Sequence, residues 1–470
     1  MVVSFTTGVA GTPVVQYGPL VDEALAYDDE DYLPFAFEAT GTSTTYDAGH
    51  MCEPPATSTD PGLFVSPGQL HSVPLRGLVP DMNYSYRVGV RTPGGRFHDV
   101  YKSLANFMYE DGAVWSHVHT FHAALQAPNV DLDLEMSSEA IATAASPTEP
   151  FTFLVYADQG SPAIGWDAAK VSLERLIDRE LDHPRTKHEE RTPARFIQHL
   201  GGLARGYGSA SAWDAWFDSI GKLSTRIPLM IAVGDTEYDH LSGGEDGKDP
   251  SGVTSSRGYA PSWGHSVFGS ASGGECGVPT ARRFTMPSTG NGNFWYSYSY
   301  GSVHTIVLSS EHDLSMGSVQ HGWLLQELRS VDRSKTPWLI VESHRPLYHS
   351  QMQSEELEVA IAMRYELESL FYDFGVDLYL SGHAQTYLRT CDGLYRSKCG
   401  IGGPVHIAVG TMGAGLNSNP LYSNRWTETF IEERGYARVT VHNSTALHWQ
   451  FIANADGKAL DDVWIYKKVD

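Results

Sequence analysis

From residue 151 onwards the chain alternates short apolar runs with longer amphipathic runs, and this alternation constrains the fold more than any other feature. The run Phe151–Tyr156 predicts a buried strand, and the amphipathic run 166–181 that follows predicts a helix. Strands at 195–200 and 228–233 enclose a helix at 213–223. This order predicts βαβ units, in which helices cover a sheet.

The alternation continues towards the C-terminus. It predicts strands at 304–308, 338–341 and 376–380, helices at 320–330 and 355–374, and a closing hairpin at 437–452. The Gly- and Ser-rich segment 241–292 is predicted to be a long loop over the active face.

The first part of the chain has a different pattern. Short alternating runs such as 13–17 and 84–88 are separated by Gly and Pro turns, which is typical of a small β-sandwich. The stretch 127–150 mixes Pro, Ser, Thr and acidic residues and predicts a linker. Because 470 residues exceed one ordinary core, we expect a β-sandwich at 1–126, the linker at 127–150 and a second unit at 151–470.

Charge and hydropathy exclude two classes of partner. The formal net charge of -23 disfavours nucleic acid, whose phosphates require a basic face. No run approaches eighteen consecutive apolar residues, so we expect no membrane span. Small phosphorylated substrates stay compatible with the charge, because a bound metal reverses the local field.

The four cysteines allow two interpretations. Cys391 and Cys399 flank the turn-forming pair Asp392-Gly393, which favours a disulfide between facing hairpin positions. Cys52 and Cys276 would then form the second pair. The alternative is four free thiols.

Two Asn-x-Ser/Thr triplets, at Asn83 and Asn443, are predicted to be exposed, with Asn443 the better glycan acceptor at a hairpin tip. Together with the even cysteine count they favour a secreted or secretory-pathway protein. Met1 opens directly into a strand-like run, so we expect a signal peptide to precede this sequence in a longer precursor.

Polar residues stand directly after five of the predicted strands. In an open α/β sheet, ligands bind beyond the carboxyl ends of the strands, so these residues are predicted to converge on one edge of one sheet. Acids and imidazoles in such a place suit a metal cation. The positions are Asp158, Gly201-Gly202, Gly234 to Glu237, His344 and His383.

This ordered series resembles the purple acid phosphatases, in particular the large plant-type branch. The matching motifs cover nearly the whole chain: YADQG at 156–160, EYD at 237–239, GGECGV at 273–278, WYS at 295–297, VDRSKTPW at 331–338, HRPLY at 344–348, SGH at 381–383 and GGPV at 402–405. The resemblance implies an α+β chain, with a fibronectin-III-like β-sandwich before a calcineurin-like metallophosphoesterase α/β sandwich.

The resemblance also implies a ligand set. Family members hold two metals bridged by a carboxylate and hydrolyse phosphate esters with a metal-bound hydroxide. Asp158 matches the first-metal aspartate. Asp235 stands at the second-metal asparagine, and His344 and His383 match the second-metal histidines.

Four other functional positions depart from the family. In an ungapped alignment with the GDxxY motif, Gly202 replaces the bridging Asp and Arg205 replaces the Tyr ligand. An alignment on Ala-Arg-Gly-Tyr deletes two residues, and both ligands are still lost. Gln385 replaces the second His of GHxH, and Thr236 replaces the catalytic His of GNHE.

We therefore expect no dinuclear iron centre and a colourless protein. Asp235, His344 and His383 are predicted to hold one divalent metal (zinc, manganese or iron) or none. His240 is an alternative replacement ligand, but we expect it to be a solvated loop residue. Glu275, Glu311 and His312 are assigned to framework packing.

Three functions stay open. The chain is either a pseudo-phosphatase with a binding or structural role and a protein partner, an active phosphatase or phosphodiesterase that uses one metal or replacement ligands, or an anion-binding domain without turnover.

Overall fold

A computed structural model describes residues 1–20, 35–59, 64–92, 108–110, 113–124, 150–165, 167–182, 192–238, 249–252, 271–288, 290–352 and 354–467. The predicted linker 127–150 lies outside these ranges except for Pro150, so it stays a prediction. Within the described ranges, no helix is both long and apolar enough to cross a bilayer.

The N-terminal region is a β-sandwich, as predicted. One sheet has the order β1-β5-β4, and the other has the order β3-β2-β6-β8-β7, with β9 also paired to β6. Val15 and Tyr17 of one sheet pack with Val73 of the other in a shared core. The strands are β1 (Val2–Thr7), β2 (Thr12–Pro19), β3 (Phe37–Thr40), β4 (Thr42–Thr44), β5 (Gln69–Pro74), β6 (Asn83–Arg91), β7 (Met108–Glu110), β8 (Ala113–Trp115) and β9 (His119–His122).

The second region contains two further sheets. The first has the order β12-β11-β10-β20-β21-β22, with β10, β11 and β12 parallel. Its strands are β10 (Phe151–Tyr156), β11 (Ala194–His199), β12 (Leu229–Ile231), β20 (Gly435–Val441), β21 (Ala446–Ala453) and β22 (Ala459–Tyr466). The six residues of β10 are all buried, because the strand is covered on both faces.

The other sheet has the order β13-β14-β15-β16-β18-β17-β19, with β14, β15, β16 and β18 parallel. Its strands are β13 (Tyr296–Tyr300), β14 (Val303–Val307), β15 (Trp338–Glu342), β16 (Leu378–Ser381), β17 (Tyr387–Thr390), β18 (Val405–Val409) and β19 (Thr427–Ile431). Apolar side chains from both sheets, including Phe153 and Ile340, form the core between them.

Helices cover the outer face of each sheet and give four layers. They are α1 (Asp167–Ile177), α2 (Ala210–Ser224), α3 (Val278–Arg283), α4 (Val319–Ser330) and α5 (Ser354–Asp373). Leu173 of α1 and Trp216 of α2 pack on the first sheet. Leu324 of α4 and Met363 of α5 pack on the second.

Two sequence predictions are wrong in detail. The strand-end residues do not lie on one sheet, because β10, β11 and β12 belong to a different sheet from β15 and β16. The described parts of the predicted loop 241–292 include the short helix α3, which begins after Gly277 with Pro279 in its first turn.

Two disulfides are present, as predicted: Cys391–Cys399 and Cys52–Cys276. The second joins the N-terminal sandwich to the segment before α3, 224 residues away in sequence. The prediction misplaced the tight turn inside the shorter loop. Tyr395 and Lys398 exchange backbone hydrogen bonds around Arg396-Ser397, both at positive φ, whereas Asp392 and Gly393 lie at the base of the loop.

Candidate functional site

The predicted site residues come together where the carboxyl ends of parallel strands from both sheets face each other. Asp158 follows β10, and Gly201-Gly202 and Asp235 follow β11 and β12. His344 follows β15, and His383 follows β16. The site therefore has one wall from each sheet.

The first pocket is centred on Asp158, which is completely buried. Arg205 Nη1 donates to Asp158 Oδ1 at 2.7 Å, and the backbone N–H of His383 donates to Asp158 Oδ2 at 2.6 Å. Both carboxylate oxygens thus have strong donors. Arg205, which replaces the Tyr ligand, thus forms an ion pair with the carboxylate that the resemblance assigns to a metal.

Residues around Arg205 complete this arrangement. With the Gln385 amide nitrogen donating to Gly415 O at 2.7 Å, its oxygen accepts from Arg205 Nη2 at 3.3 Å. Burial works against the charged guanidinium, yet Asp158 and Asp235 raise the pKa of Arg205 above its ordinary value. Arg205, at one lost ligand position, therefore binds both Asp158 and Gln385, the residue at the other lost position, and this donor set does not fit a cation.

The loop after β11 leaves no room for the missing bridging carboxylate. A Cβ atom on Gly202, whose φ is +67°, would lie 2.5 Å from Asp158 Oδ1. Glu237 holds this loop, because its carboxylate accepts the N–H groups of Gly202 (2.9 Å), Leu203 (2.8 Å) and Gly234 (3.1 Å). Burial raises the pKa of the Glu237 carboxyl.

The second pocket is a cluster of three ligand-competent side chains. His344 Nε2 lies 3.0 Å from Asp235 Oδ1 and 3.2 Å from His383 Nδ1, and Asp235 Oδ1 lies 3.7 Å from His383 Nδ1. Donors on one ion at about 2.1 Å stand about 3.0–3.4 Å apart at octahedral to tetrahedral angles. The two distances from His344 Nε2 therefore fit one small divalent ion, whereas Asp235 and His383, 3.7 Å apart, have to approach by a few tenths of an ångström to share it.

The two histidines differ in their outer contacts. His344 Nδ1 donates to Leu200 O at 2.8 Å, which directs Nε2 at the cluster in the manner of a metal ligand. His383 Nε2 instead accepts from Arg345 Nη1 at 3.1 Å. A neutral imidazole that accepts at Nε2 carries its proton on Nδ1, the atom that faces the cluster. Arg345 thus opposes metal binding by His383.

Charge within the second pocket is balanced by protons. Burial would raise the pKa of the Asp235 carboxyl, yet electrostatic attraction to His383 and hydrogen bonds from both histidines hold this pKa well below its ordinary value. Burial would lower the pKa of His344, but Asp235 and Asp158 raise it overall. A metal that binds here has to displace a proton from His344.

The other predicted residues that the structure describes are engaged in hydrogen bonds with neighbouring side chains. Thr236 is buried, and its hydroxyl donates to Glu237 Oε1 at 3.0 Å. His240 lies outside the described residues. Glu275 accepts from Trp213 Nε1 at 3.0 Å, and His312 pairs with Ser309 at 2.6 Å, which agrees with framework roles.

The sequence analysis placed Glu237 only within the strand-end run 234–237, gave no role to Arg345 and assigned Glu311 to the framework. Glu311 binds Arg345 through Nε at 2.9 Å and so holds the guanidinium against His383. Their positions in the sequence could have indicated that Arg345 and Glu237 belong to the site. Arg345 directly follows His344, and Glu237 is the last residue of the run Gly-Asp-Thr-Glu.

Sequence models of three domain families match the chain in order. They are "Purple acid Phosphatase, N-terminal domain" at residues 1–123, "Calcineurin-like phosphoesterase" at 188–387 and "Iron/zinc purple acid phosphatase-like protein C" at 403–462. These matches cover both the sandwich and the sheets that carry the site.

Individual relatives and one solved structure agree with these matches. "Probable inactive purple acid phosphatase 9" of Arabidopsis thaliana is 27% identical over 99% of this chain and 65% of that protein. A "Nucleotide pyrophosphatase/phosphodiesterase" of Hordeum vulgare is 30% identical over 58% of this chain and 72% of that protein. The structure of a purple acid phosphatase from yellow lupin superposes with a TM-score of 0.76 at 23% identity, over 99% of this chain and 72% of that one.

The chain spans 65%, 61% and 62% of the length of three Arabidopsis relatives that it matches. The N-terminal, metallophosphoesterase and C-terminal domain matches occur in one chain, and the lupin enzyme has the same fold. The chain therefore belongs to the purple acid phosphatase family of calcineurin-like metallophosphoesterases.

Proposed function

We propose that this chain is a pseudo-phosphatase, a catalytically impaired family member whose fold serves a binding or structural role. The buried ion pair between Arg205 and Asp158 carries this proposal. A guanidinium supplies positive charge, but it cannot coordinate a hydroxide nucleophile or exchange ligands as a metal does. The names of the Arabidopsis relatives, which call those proteins probable inactive purple acid phosphatases, support the same conclusion.

Metal content follows from the two pockets. We expect no dinuclear iron centre, because the first pocket offers only Asp158 and that carboxylate is paired. Asp235, His344 and His383 would hold a single zinc, manganese or iron(II) ion. Such an ion would polarise a phosphoryl oxygen, but one ion does not clamp both the attacking and the leaving oxygen.

Proton donation to a leaving group is also impaired. Thr236 stands at the position of the family's catalytic His, and its hydroxyl is engaged by Glu237. General acid catalysis typically contributes about 10²–10⁴-fold, so its loss alone predicts a large fall in rate.

The test measures turnover and metal content on the same sample. The full chain is incubated with iron, zinc or manganese, assayed with p-nitrophenyl phosphate, and submitted to elemental analysis. We expect at most one ion per chain, no colour from tyrosinate bound to iron, and turnover orders of magnitude below that of an intact relative. Two ions per chain with ordinary enzymatic rates would refute the proposal.

A second candidate function, a one-metal phosphoesterase, is favoured by the cluster of Asp235, His344 and His383. The activity in the name of the barley relative adds support. His383→Ala separates the two functions. It would abolish metal-stimulated hydrolysis in a one-metal enzyme, and it would leave the background rate of a pseudo-phosphatase unchanged.

We also propose that the chain passes through the secretory pathway. The two disulfides support this. Asn443 is exposed in the turn between β20 and β21, where its Oδ1 accepts from Thr445 Oγ1 at 3.0 Å, and Asn83 is exposed at the start of β6. Mass measurement before and after glycosidase treatment tests both, with Asn443 the expected acceptor.

The domain boundaries are proposed at 1–126, 127–150 and 151–470, with a fibronectin-III-like first domain. A protein partner is expected from the scaffold role, and the net charge argues against nucleic acid.

A further inference from the structure

A cavity lies on the helix-covered face of the first sheet, away from the ligand cluster. Its volume is about 410 Å³. Helix α1 contributes Arg175 and Ser172, and the segments after β19 and β21 contribute Arg434 and Asn454. No residue of the three-residue cluster lines it.

Asn454 is an unsatisfied amide at this cavity. The residue is 2% exposed, and neither its side-chain nitrogen nor its side-chain oxygen has a hydrogen-bond partner among the residues that the structure describes. Its backbone is fully engaged, because its N–H donates to Arg434 O at 2.7 Å and its carbonyl accepts from Arg175 Nη1 at 3.3 Å. Buried amides are rarely left unpaired, so a bound group is expected here.

Positive charge gathers around the same residue. Arg179 Nη2 also donates to Asn454 O, at 2.9 Å, and Arg434 Nη1 donates to Gly413 O at 2.9 Å. Within the described ranges, none of Arg175, Arg179 and Arg434 has a carboxylate within 4 Å, although the chain carries a net charge of -23. Burial lowers the pKa of Arg434, as expected for a cation without a counter-ion.

We propose that this cavity is a phosphate-binding site, in which the guanidinium groups of Arg175 and Arg434 bind the oxyanion and the Asn454 amide nitrogen donates to it. Guanidinium forks match the oxygens of phosphate. The Asn454 amide oxygen needs a donor. At about pH 6 inorganic phosphate carries a proton, as does much of a phosphate monoester, whose second pKa is about 6, whereas sulfate carries none. Glu433 also lines the cavity and, among the described residues, forms no ion pair with either arginine, so its carboxylate limits the net charge of the bound group. The phosphate is either inorganic or the end of a phosphoester.

This site is independent of the loss of catalysis. Arg434 nevertheless connects it to the first pocket, because Gly413 and Ala414, whose carbonyls Arg434 binds, donate their N–H groups to Asp158 O at 3.1 and 2.7 Å. Substitution of Arg434 would therefore disturb both places, and Arg175 and Asn454 are the sharper probes.

Isothermal titration of the metal-free full chain with inorganic phosphate at about pH 6 tests the site. We expect one bound phosphate, an affinity at least tenfold lower in Arg175→Gln, and at least tenfold weaker binding of sulfate. Arg179→Gln is the matched control, because Arg179 binds the same carbonyl but does not line the cavity; its affinity should stay within threefold. A phosphoester such as glycerol phosphate, used as a second probe, distinguishes a free ion from an ester.

Asn454→Leu separates a ligand role from a structural one. It should lower phosphate affinity at least tenfold and leave the thermal midpoint of the phosphate-free protein unchanged, because the amide makes no protein hydrogen bond. His383→Ala should leave phosphate binding unchanged. No binding, binding lost in His383→Ala but kept in Arg175→Gln, or equal affinity for sulfate would each overturn the proposal.

Discussion

The pocket around Asp158 and the pocket around Asp235 are joined by His383. Its backbone N–H donates to Asp158 in the first pocket, and its side chain contacts His344 in the second. In the first, a guanidinium from the chain itself balances the carboxylate. In the second, three ligand-competent side chains stay together and share protons. The difference shows two ways to lose a metal centre: one pocket acquires a permanent internal cation, and the other keeps its ligands but gains a competing donor, Arg345.

The largest expected effect comes from removing the internal cation. Arg205→Ala leaves Asp158 buried and without its charge partner, and breaking a buried pair costs about 3–5 kcal/mol in the free energy of unfolding. Urea unfolding measures it. Arg226→Ala is the control, because the Arg226–Asp182 pair is 39% and 52% exposed and should cost about 1 kcal/mol or less. Equal costs for the two variants would remove the distinction between the pockets.

The next effect concerns the room left for a bridging side chain. Gly202→Ala places a Cβ atom 2.5 Å from Asp158 Oδ1 at a positive φ. The backbone conformation alone costs about 1–3 kcal/mol, so the unfolding free energy should fall by at least that amount. Gly221→Ala, in helix α2 with open space around its Cβ position, should instead stabilise by about 0.5–1 kcal/mol. A neutral Gly202→Ala would mean that the first pocket still accommodates a bridging residue.

A third experiment acts on the second pocket. Arg345→Met combined with Glu311→Gln removes the donor to His383 Nε2 without leaving Glu311 as a buried unpaired charge. His383 can then turn its proton outward, and zinc affinity should rise by about 10–100-fold with a stoichiometry of one. Zinc titration by calorimetry measures this, with Glu311→Gln alone as the control. Unchanged affinity in the double variant would show that Arg345 does not compete with the metal.

The smallest effect tests the support of Arg205. Gln385→Ala removes one acceptor from Arg205 Nη2, and such a hydrogen bond contributes about 0.5–1.5 kcal/mol to the free energy of unfolding. Gln450→Ala, which breaks a solvent-exposed hydrogen bond to Asp462 and a long one of 3.5 Å from Arg438 Nη1, should cost less. If Gln385→Ala costs as much as Arg205→Ala, Gln385 rather than the ion pair holds the first pocket together.

The sequence located the site through polar residues that directly follow predicted strands. These residues are Asp158, Asp235, His344 and His383, which follow β10, β12, β15 and β16. Their position at the carboxyl ends of the strands does not depend on how the strands pair. It could not divide those strands between two sheets, since local periodicity carries no information on which strands pair. The period-2 alternation YSYSY of β13 was a usable signal that the predictions did not include.

The contacts that Arg205 and Arg345 make in the folded protein could not be predicted from their positions in the sequence. The sequence places Arg205 at the position of the Tyr ligand, but its bond to Asp158 depends on the backbone at Arg205, Gln385 and Asp158, all at positive φ. The effect of Arg345 on His383 depends on Glu311, 34 residues away, which only the folded chain brings close.

The cross-link Cys52–Cys276 has a consequence for proteolysis. Any cut between residues 125 and 149 separates the chain into two pieces that stay covalently joined, because one cysteine lies on each side. The N-terminal sandwich would then remain at high effective concentration beside its neighbour and re-dock after each dissociation. Nicked protein should therefore migrate as one species on a non-reducing gel, and only reductant should release the smaller piece.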